Sequence, residues 1–577
     1  MKSSSPFFII ILNCLVFFLI TGCLQSTKAR PTIAVIRVET QDDFEKVSAS
    51  IQESITSGCR RIVVSFKKGI YYFKDLHLYY TDMRLPGVSI VLKGNSSTII
   101  SGGEDFSNIG TAVKYIEGAG FIDAAGRDFQ NYGKMYQSDA MVEVLDENSK
   151  LCRIHCSELG DVGRMDYSNA FIRITSWFTS FLYKVDRIFG GYVYFTANNL
   201  ARGYAQYGNY NVNYDYTVGN ILPRFRLINL PLGGCGIVSS MGGLLNRSSE
   251  KILHQCVAGR FVFLQNCEMK SVIIDGFNII GGRADSQVIR FRNVEAESLI
   301  VRNTKISATR GIAIYGDDSD NITVENCEFY DNYKDVVNIS NTCSNAIIRN
   351  NRFFNNGKGV MNSFCIVCRG GNYLISNNDI SNFNYGAIGV GVWHGSAEGS
   401  RPCYGVVEKN HIYYTSDYIK EKADWTLLDG GAIYLWSKND GTVIRNNFIH
   451  DYEGMGSNRG VYGDDGTSNC AIYGNIILNM GTGFSIDLRR SLTLDKLKIG
   501  LRSNENNTIY GNVFNNCFRF QGRGDDSTSI KGGNTVLVDN SSTVPSILED
   551  NLVKKSRDKI SVYNEEKWYE KGFSLIR

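Results

Sequence analysis

Val443-Ile444-Arg445-Asn446-Asn447-Phe448-Ile449 and, 28 residues on, Ala471-Ile472-Tyr473-Gly474-Asn475-Ile476-Ile477 repeat one local pattern. Apolar residues stand at alternate positions, as in a short strand with one buried face, and an Asn breaks the run where the chain must turn. Working outward, the frame apolar-x-apolar-x-Asn-x-apolar recurs around Gly276, Asn303, Asn326, Asn351, Asn378, Asn410, Asn447, Asn475 and Asn512, with spacings of 27, 23, 25, 27, 32, 37, 28 and 37. A period in the twenties built on Val- and Ile-rich strands predicts an all-β right-handed parallel β-helix. Leucine-rich and propeller repeats are the competing architectures, and neither the LxxLxL spacing nor a Trp-Asp signature is present. Asn suits the turn because it tolerates the left-handed conformation and because stacked copies can bond one another's amides. On that reading Asn447→Ala costs about 1–2 kcal/mol through unpaired amides.

The 577 residues carry 61 Lys+Arg against 58 Asp+Glu, a formal charge of +3, which excludes a strongly basic nucleic-acid binder and an acidic disordered chain. Hydrophobic residues make up 43%, with 58 Gly and only 7 Pro, enough to fill a long core and too little Pro for disorder. The first 22 residues read as an export signal. Lys2 gives the positive start, Phe7 to Ile20 is an apolar stretch of signal-peptide length, and Ile20-Thr21-Gly22-Cys23 closes it. This resembles a bacterial lipoprotein signal, and the resemblance implies cleavage before Cys23, lipidation of its thiol and attachment to a membrane of the cell envelope. Setting Cys14 and Cys23 aside, 15 cysteines become 13, an odd number scattered through apolar segments, so a disulfide framework is not expected. Cys365 and Cys368 form a lone CxxC inside a strand-like run, which reads as core rather than metal site.

The mature chain divides into an N-terminal cap and first rungs (23–103), an inserted β-rich domain (104–265), the main β-helix (266–540) and a C-terminal cap (541–577). Asp42-Asp43-Phe44-Glu45 reads as a capping box opening an amphipathic helix that Gly58 ends, with Phe44, Val47, Ile51 and Ile55 on one stripe to plug the solenoid. The insertion loses the Asn period and becomes Tyr-rich.

In a solenoid the functional face is marked by lengthened loops. Here they fall at 395–403, 415–428 and 485–506, close to Trp393, Trp425 and Trp436. Flat aromatic faces there suit sugar rings. Tyr434 and Tyr462 are 28 apart, in register with Asn447 and Asn475, and with His394 and His450 they complete the candidate substrate contacts. Carboxylates gather in the same rungs: Asp429 precedes Gly430-Gly431-Ala432-Ile433-Tyr434, and Asp464 and Asp465 follow Val461-Tyr462-Gly463. Glu453 and Asp451, between the two, are second-choice acids. Rungs stack about 4.8 Å apart, so carboxylates on neighbouring rungs can meet either separation used by glycosidases, about 5–5.5 Å or about 6.5–9.5 Å. Tyr315-Gly316-Asp317-Asp318 repeats the Tyr-Gly-Asp-Asp string several rungs earlier, so the string also has a purely structural reading as a turn.

The run DGGAIYLW (429–436), VIRNNFIHDYEG (443–454) and RGVYGDDGTSNCAIYGN (459–475) resembles β-helical glycoside hydrolases of family 141, and more loosely family 120, which share a pectin-lyase-like solenoid. MVEVLDENSKLCRIH (141–155) and ITSWFTSFLYKVDRIFGGYVYFTA (174–197) look like the β-domain such enzymes carry after their first rungs. The resemblance implies hydrolysis of a glycosidic bond in a complex, plant-type polysaccharide, with Asp464 or Asp465 as the acid and Asp429 as nucleophile or base. No cofactor or metal is required, though Ca²⁺ is compatible with the fold. The implied partners are a polysaccharide or oligosaccharide and, through Cys23, a membrane; no nucleic acid and no second copy are expected. Polygalacturonases would add a Gly-His-Gly downstream of Gly316-Asp317-Asp318, which this chain lacks. A polysaccharide lyase, with Arg489 or Arg490 as its base, and a non-catalytic glycan-binding lipoprotein remain as alternatives.

Overall fold

The cap helix forms over Gln41–Thr56, and its N-cap is Thr40, two residues ahead of the box read from Asp42. The Thr40 hydroxyl accepts from Asp43 N at 3.2 Å, while the Asp43 carboxylate accepts from Thr40 N at 3.0 Å and Glu39 N at 3.1 Å. Asp43 is therefore the inner member of the capping box, and those backbone donors hold its carboxyl below the usual range. Phe44, Val47 and Ile51 are buried, and Phe44 lies 5.6 Å from Tyr71 and 6.2 Å from Phe261 between ring centroids, closing the end of the core.

The computed structural model describes residues 33–73, 76–101, 113–116, 120–123, 135–137, 139, 143–146, 151–159, 170–175, 180–196, 224–229, 260–281, 287–307, 309, 311–332, 334–357, 363–392, 403–416, 430–436, 439–452, 459–464, 467, 469–480, 484–489, 507–510, 512–515, 519–523, 529–530, 535–538 and 552–555. Each rung of the solenoid contributes three short strands, one to each face. In one rung these are Gly431–Leu435, Val443–Arg445 and Phe448–His450; in the next, Arg459–Gly463, Ala471–Tyr473 and Ile476–Leu478. Pairing is parallel and in register, Tyr434 with Tyr462, Ile444 with Ile472 and Ile449 with Ile477. The first and second faces merge into one 22-stranded sheet because Arg260–Asp275 and Gln287–Arg302 run through the bend between them, while the third face is a separate 13-stranded sheet.

The insertion interrupts the solenoid without breaking its register. Leu78 pairs with Val262, and Ile100 with Ile279, across the inserted residues. Arg260 itself pairs with Leu76, so 260–265 belong to the solenoid and the insertion ends before them. Its described strands, from Met135–Gln137 to Arg224–Asn229, form a seven-stranded antiparallel sheet. At the far end Leu552–Lys555 pairs with Thr535–Val538, extending the third face past residue 540.

The corner between the second and third faces corrects one detail of the repeat. Two adjacent residues share the task given above to a single Asn. Asn303, Asn326, Asn350, Asn377 and Asn446 take left-handed φ values of 49–57° or close to them (51, 54, 57, 53 and 56°), with Gly276 and Gly474 in the equivalent place. The following residue points inward, and from Asn351 through Asn378, Asn410, Asn447, Asn475 and Asn512 these form a buried amide ladder. The repeat frame therefore slips by one between Asn326 and Asn351, the former being a turn residue and the latter a ladder residue. Cys365 and Cys368 are buried free thiols of the core, pushed up by burial, and the other described cysteines are free as well. No helix among the described residues is long and apolar enough to cross a membrane.

Candidate functional site

Along the first face, every other residue of each strand faces away from the core, so outward side chains of successive rungs form rows about 4.8 Å apart. One row runs Phe263, Arg290, Tyr315, Asn338, Val367, Gly389, Tyr434, Tyr462 by register. A second lies two residues further along each strand. It runs Arg292 and Asp317 by register, and continues through Ser340, Arg369, Gly391, Trp436 and Asp464, whose backbone N–H groups each bond to the rung before.

Asp464 sits where both rows meet. Its Oδ2 accepts from the Tyr434 hydroxyl at 2.7 Å and its Oδ1 from the Tyr462 hydroxyl at 3.0 Å. The carboxylate is half-exposed while both tyrosines are buried against the sheet. Asp464 N donates to Leu435 O at 2.9 Å, and Thr467 closes the turn by donating from N and Oγ1 to Asp464 O at 3.1 and 2.8 Å. Tyr434 meets Tyr462 edge-to-face at 4.7 Å and Trp436 at 5.3 Å. With Phe364, Val367 and Tyr385 they make an apolar cluster on the outside of the sheet, separate from the core. A glycine makes room for it: a Cβ on Gly389 would stand 2.6 Å from Trp436 Cη2, so the indole packs directly against a bare backbone. Arg459, fully buried, places its guanidinium 3.9 Å over the Tyr462 ring and donates to Gly430 O at 3.3 Å. The half-buried Arg369 lies 5.3 Å over the Trp436 ring. Asp335 accepts from Phe364 N and from Asn338 Nδ2, both at 2.9 Å, and burial raises its carboxyl above the ordinary range.

The structure thus brings together Asp464, Tyr434, Tyr462 and Trp436 of the residues expected from the sequence. It does not bring His450 to them. Phe448–His450 lies on the third face, beyond the Asn446–Asn447 corner. There His450 Nε2 is 2.8 Å from His411 Nε2 and its Nδ1 is 2.8 Å from Asp451 Oδ2, in a raft of parallel rings that includes Tyr413 and Phe448. Burial works against the charge of Asp451, but hydrogen bonds from His450 and Asn479 carry its carboxyl below the usual range. Asp429, Asp465, Glu453, Trp393, His394, Trp425 and Cys23 lie outside the described residues.

One register position was missed. The stretch from 485 reads as a lengthened loop, yet Phe484–Arg489 is a first-face strand whose backbone pairs Asp487 with Tyr462. The signal was available as spacing: Tyr434, Tyr462 and Asp487 are separated by 28 and 25 residues, both within the period of the repeat. Among the described residues no group of three or more His, Cys, Asp or Glu converges to hold a metal ion.

A family model for the right-handed β-helix region matches residues 251–393. No curated protein matches the chain. Among solved structures it is similar to one described as a glycoside hydrolase, at 10% identity and a TM-score of 0.48, covering 85% of this chain and 97% of that one. It is also similar to the A-module of the Azotobacter vinelandii mannuronan C-5 epimerase AlgE4, at 10% identity and a TM-score of 0.41 over 90% and 94% of the two chains. A third is PfbA, a surface adhesin of Streptococcus pneumoniae, at 12% identity and 0.37 over 86% and 83%. The family model and the sheet topology together make the chain a right-handed parallel β-helix with an inserted antiparallel β-sheet.

Proposed function

We propose that the chain hydrolyses glycosidic bonds in a complex polysaccharide, with Asp464 as one of two working carboxylates and the Tyr434–Trp436 face as the sugar platform. The observation that carries this reading is the half-buried Asp464, gripped on both carboxylate oxygens by the hydroxyls of two buried tyrosines, beside the Trp436 indole. Such a grip fixes the direction of a reacting group, which is what positioning contributes to catalysis. A carboxylate arranged as acceptor from two phenols suits the base or nucleophile, which leaves the acid role to a neighbour.

Asp487 is the neighbour that the register favours. It stands one rung on and two residues back, so its Cα is about 8 Å from that of Asp464, a spacing compatible with the carboxyl separation of inverting enzymes. Gly431, by contrast, pairs with Arg459, five residues before Asp464, or about 16 Å away along the strand direction. Asp429 lies outside the described residues and enters as the alternative second carboxylate. Attachment to a membrane of the cell envelope through Cys23 completes the proposal, on the signal-like first 23 residues.

The test is reducing-sugar release from a panel of pectic, xylan and other glycans by the full chain, with Asp464→Asn, Asp487→Asn and Asp429→Asn alongside. Release that vanishes in the first two folded variants supports the proposed pair. Loss with Asp429→Asn and not Asp487→Asn would move the second carboxylate to Asp429. Ultraviolet-absorbing unsaturated ends would replace hydrolysis by elimination, and binding without cleavage would leave a glycan-binding protein.

A further inference from the structure

The two outward rows do not end at Trp436. Toward the N-terminal rungs they carry Arg290, Arg292 and Arg369, and Arg260 stands beside them on the same strand as Phe263. Three of the four guanidiniums lie over aromatic faces: Arg260 and Arg290 are 4.9 and 5.3 Å from the centre of the Phe263 ring, Arg290 is 5.4 Å from Tyr315, and Arg369 is 5.3 Å from Trp436. A guanidinium stacked in this way can present its N–H edge to a planar anion, and Arg290 uses one of its donors on Gln287 Oε1 at 3.3 Å.

At the N-terminal end of the groove the arginines outnumber the carboxylates. Among the described residues Asp317 is the one carboxylate at ion-pair distance from Arg290 and Arg292, at the long distances of 3.7 and 3.9 Å. Among the described residues Arg260 and Arg369 have no carboxylate at ion-pair distance. Asp335, the acid nearest in charge to Arg369, accepts its hydrogen bonds from Phe364 N and Asn338 Nδ2 and not from Arg369. Burial and then the charges of Arg260 and Arg292 push the Arg290 guanidinium below its ordinary value, as expected where like charges are crowded together. An incoming anion would relieve that crowding.

Taking the Asp464 face as the glycan groove, we infer that its substrate is an anionic polysaccharide, whose acidic sugars lie along the arginine rows while the bond to be cut reaches Asp464. Carboxylate and sulfate both fit the fork of a guanidinium, and the rise of one rung is close to the length of one pyranose unit, so an extended chain can meet successive rungs in step.

The experiment measures binding of the full chain, purified in detergent and carrying Asp464→Asn to prevent turnover. The probes are two pairs: polygalacturonate with its methyl ester, and dextran sulfate with dextran. The expected result is at least tenfold tighter binding of one anionic member than of its neutral parent, the first pair reporting carboxylate and the second sulfate. Arg290→Gln and Arg369→Gln should each weaken that anionic binding about tenfold, leave the neutral parent unchanged and be matched by no effect of Lys305→Gln on the third face. Partial rescue by Arg290→Lys would separate lost charge from lost folding.

Equal binding of charged and neutral members, or equal losses from Lys305→Gln, overturns the inference. If a neutral glycan is cut and neither polyanion is preferred, the anionic substrate falls and the hydrolase stands. If arginine-dependent anion binding is found but the wild type cuts nothing, the substrate class stands and the hydrolase falls.

Discussion

Replacing Asn447 by Ala removes one link of the buried amide ladder, and the structure shows what each atom of that link does. Its Nδ2 donates to Val407 O at 3.0 Å and to Asn475 Oδ1 at 2.9 Å, while its Oδ1 accepts from Asn410 N and Asn410 Nδ2, both at 3.0 Å. Asn447 N still reaches Asn475 Oδ1 at 3.0 Å after the change. Three buried groups would lose their partner: the Asn410 backbone N–H, one Asn410 amide N–H and the Val407 carbonyl. At about 1–3 kcal/mol for each of the three unmet buried groups the loss comes to about 3–9 kcal/mol, well above the 1–2 kcal/mol expected for a single amide pair. The neighbouring Asn446→Ala touches only the left-handed turn at φ 56° and should cost about 1–2 kcal/mol. Because a solenoid couples each rung chiefly to its neighbours, the damage should be local. Amide hydrogen exchange in Gly405–Glu408, Val443–Arg445 and Ala471–Tyr473 is therefore the assay, and protection there should fall about a hundredfold or more, while Ile62 and Val64 at the capped end keep theirs. A loss below fivefold, or a larger loss from Asn446→Ala, would refute the ladder argument.

Other expectations follow from the site. Tyr434→Phe and Tyr462→Phe each remove one donor from Asp464 and should lower kcat at least tenfold with a change in unfolding free energy of about 1 kcal/mol; unchanged kcat in both would show that the grip is structural. Gly389→Ala drives a methyl into the Trp436 ring, so KM for the glycan should rise with kcat nearly unchanged, and a wild-type KM would mean that the indole does not touch sugar. Asp335→Asn tests the buried carboxyl. Its folded value lies above the ordinary 3.8, so the wild type is penalised once pH rises past the range where the unfolded chain ionises. The variant should thus gain stability relative to wild type between about pH 4 and neutrality, as read from paired melting curves, and a gap independent of pH would contradict the assignment.

The fold was legible because its signal is local: alternation within seven residues and an Asn at the turn are both visible without knowing what lies next to what. The slip between Asn326 and Asn351 shows the limit, since two adjacent residues with opposite burial both favour Asn and only their packing tells them apart. The helix cap was displaced for a similar reason, since Asp42 with Glu45 and Thr40 with Asp43 both have the spacing of a capping box and only the packing tells them apart.

The site was legible only in part, and the cause lies in how a solenoid assembles chemistry. Reading along the chain favours acids that are close in sequence, such as Asp429 beside its double glycine or Asp464 beside Asp465. A parallel β-helix instead sets side by side residues one full turn apart, and each rung offers only one or two outward positions on a given face. Tyr315 and Asp317 occupy the same rows as Tyr462 and Asp464, yet Asp317 faces arginines where Asp464 faces tyrosines. One local string, Tyr-Gly-Asp-Asp, therefore has two environments, decided by what neighbouring rungs contribute from 23 to 30 residues away. His450 fails for the same reason in reverse, since its nearness in sequence to the groove crosses a corner of the solenoid and leaves it on another face. The unit that assembles the candidate site is the row, and a row is read by counting residues per turn: applied to Tyr434 and Tyr462, that count leads to Asp487, and applied backward from Asp464 it leads through Trp436 and Arg369 to Arg292.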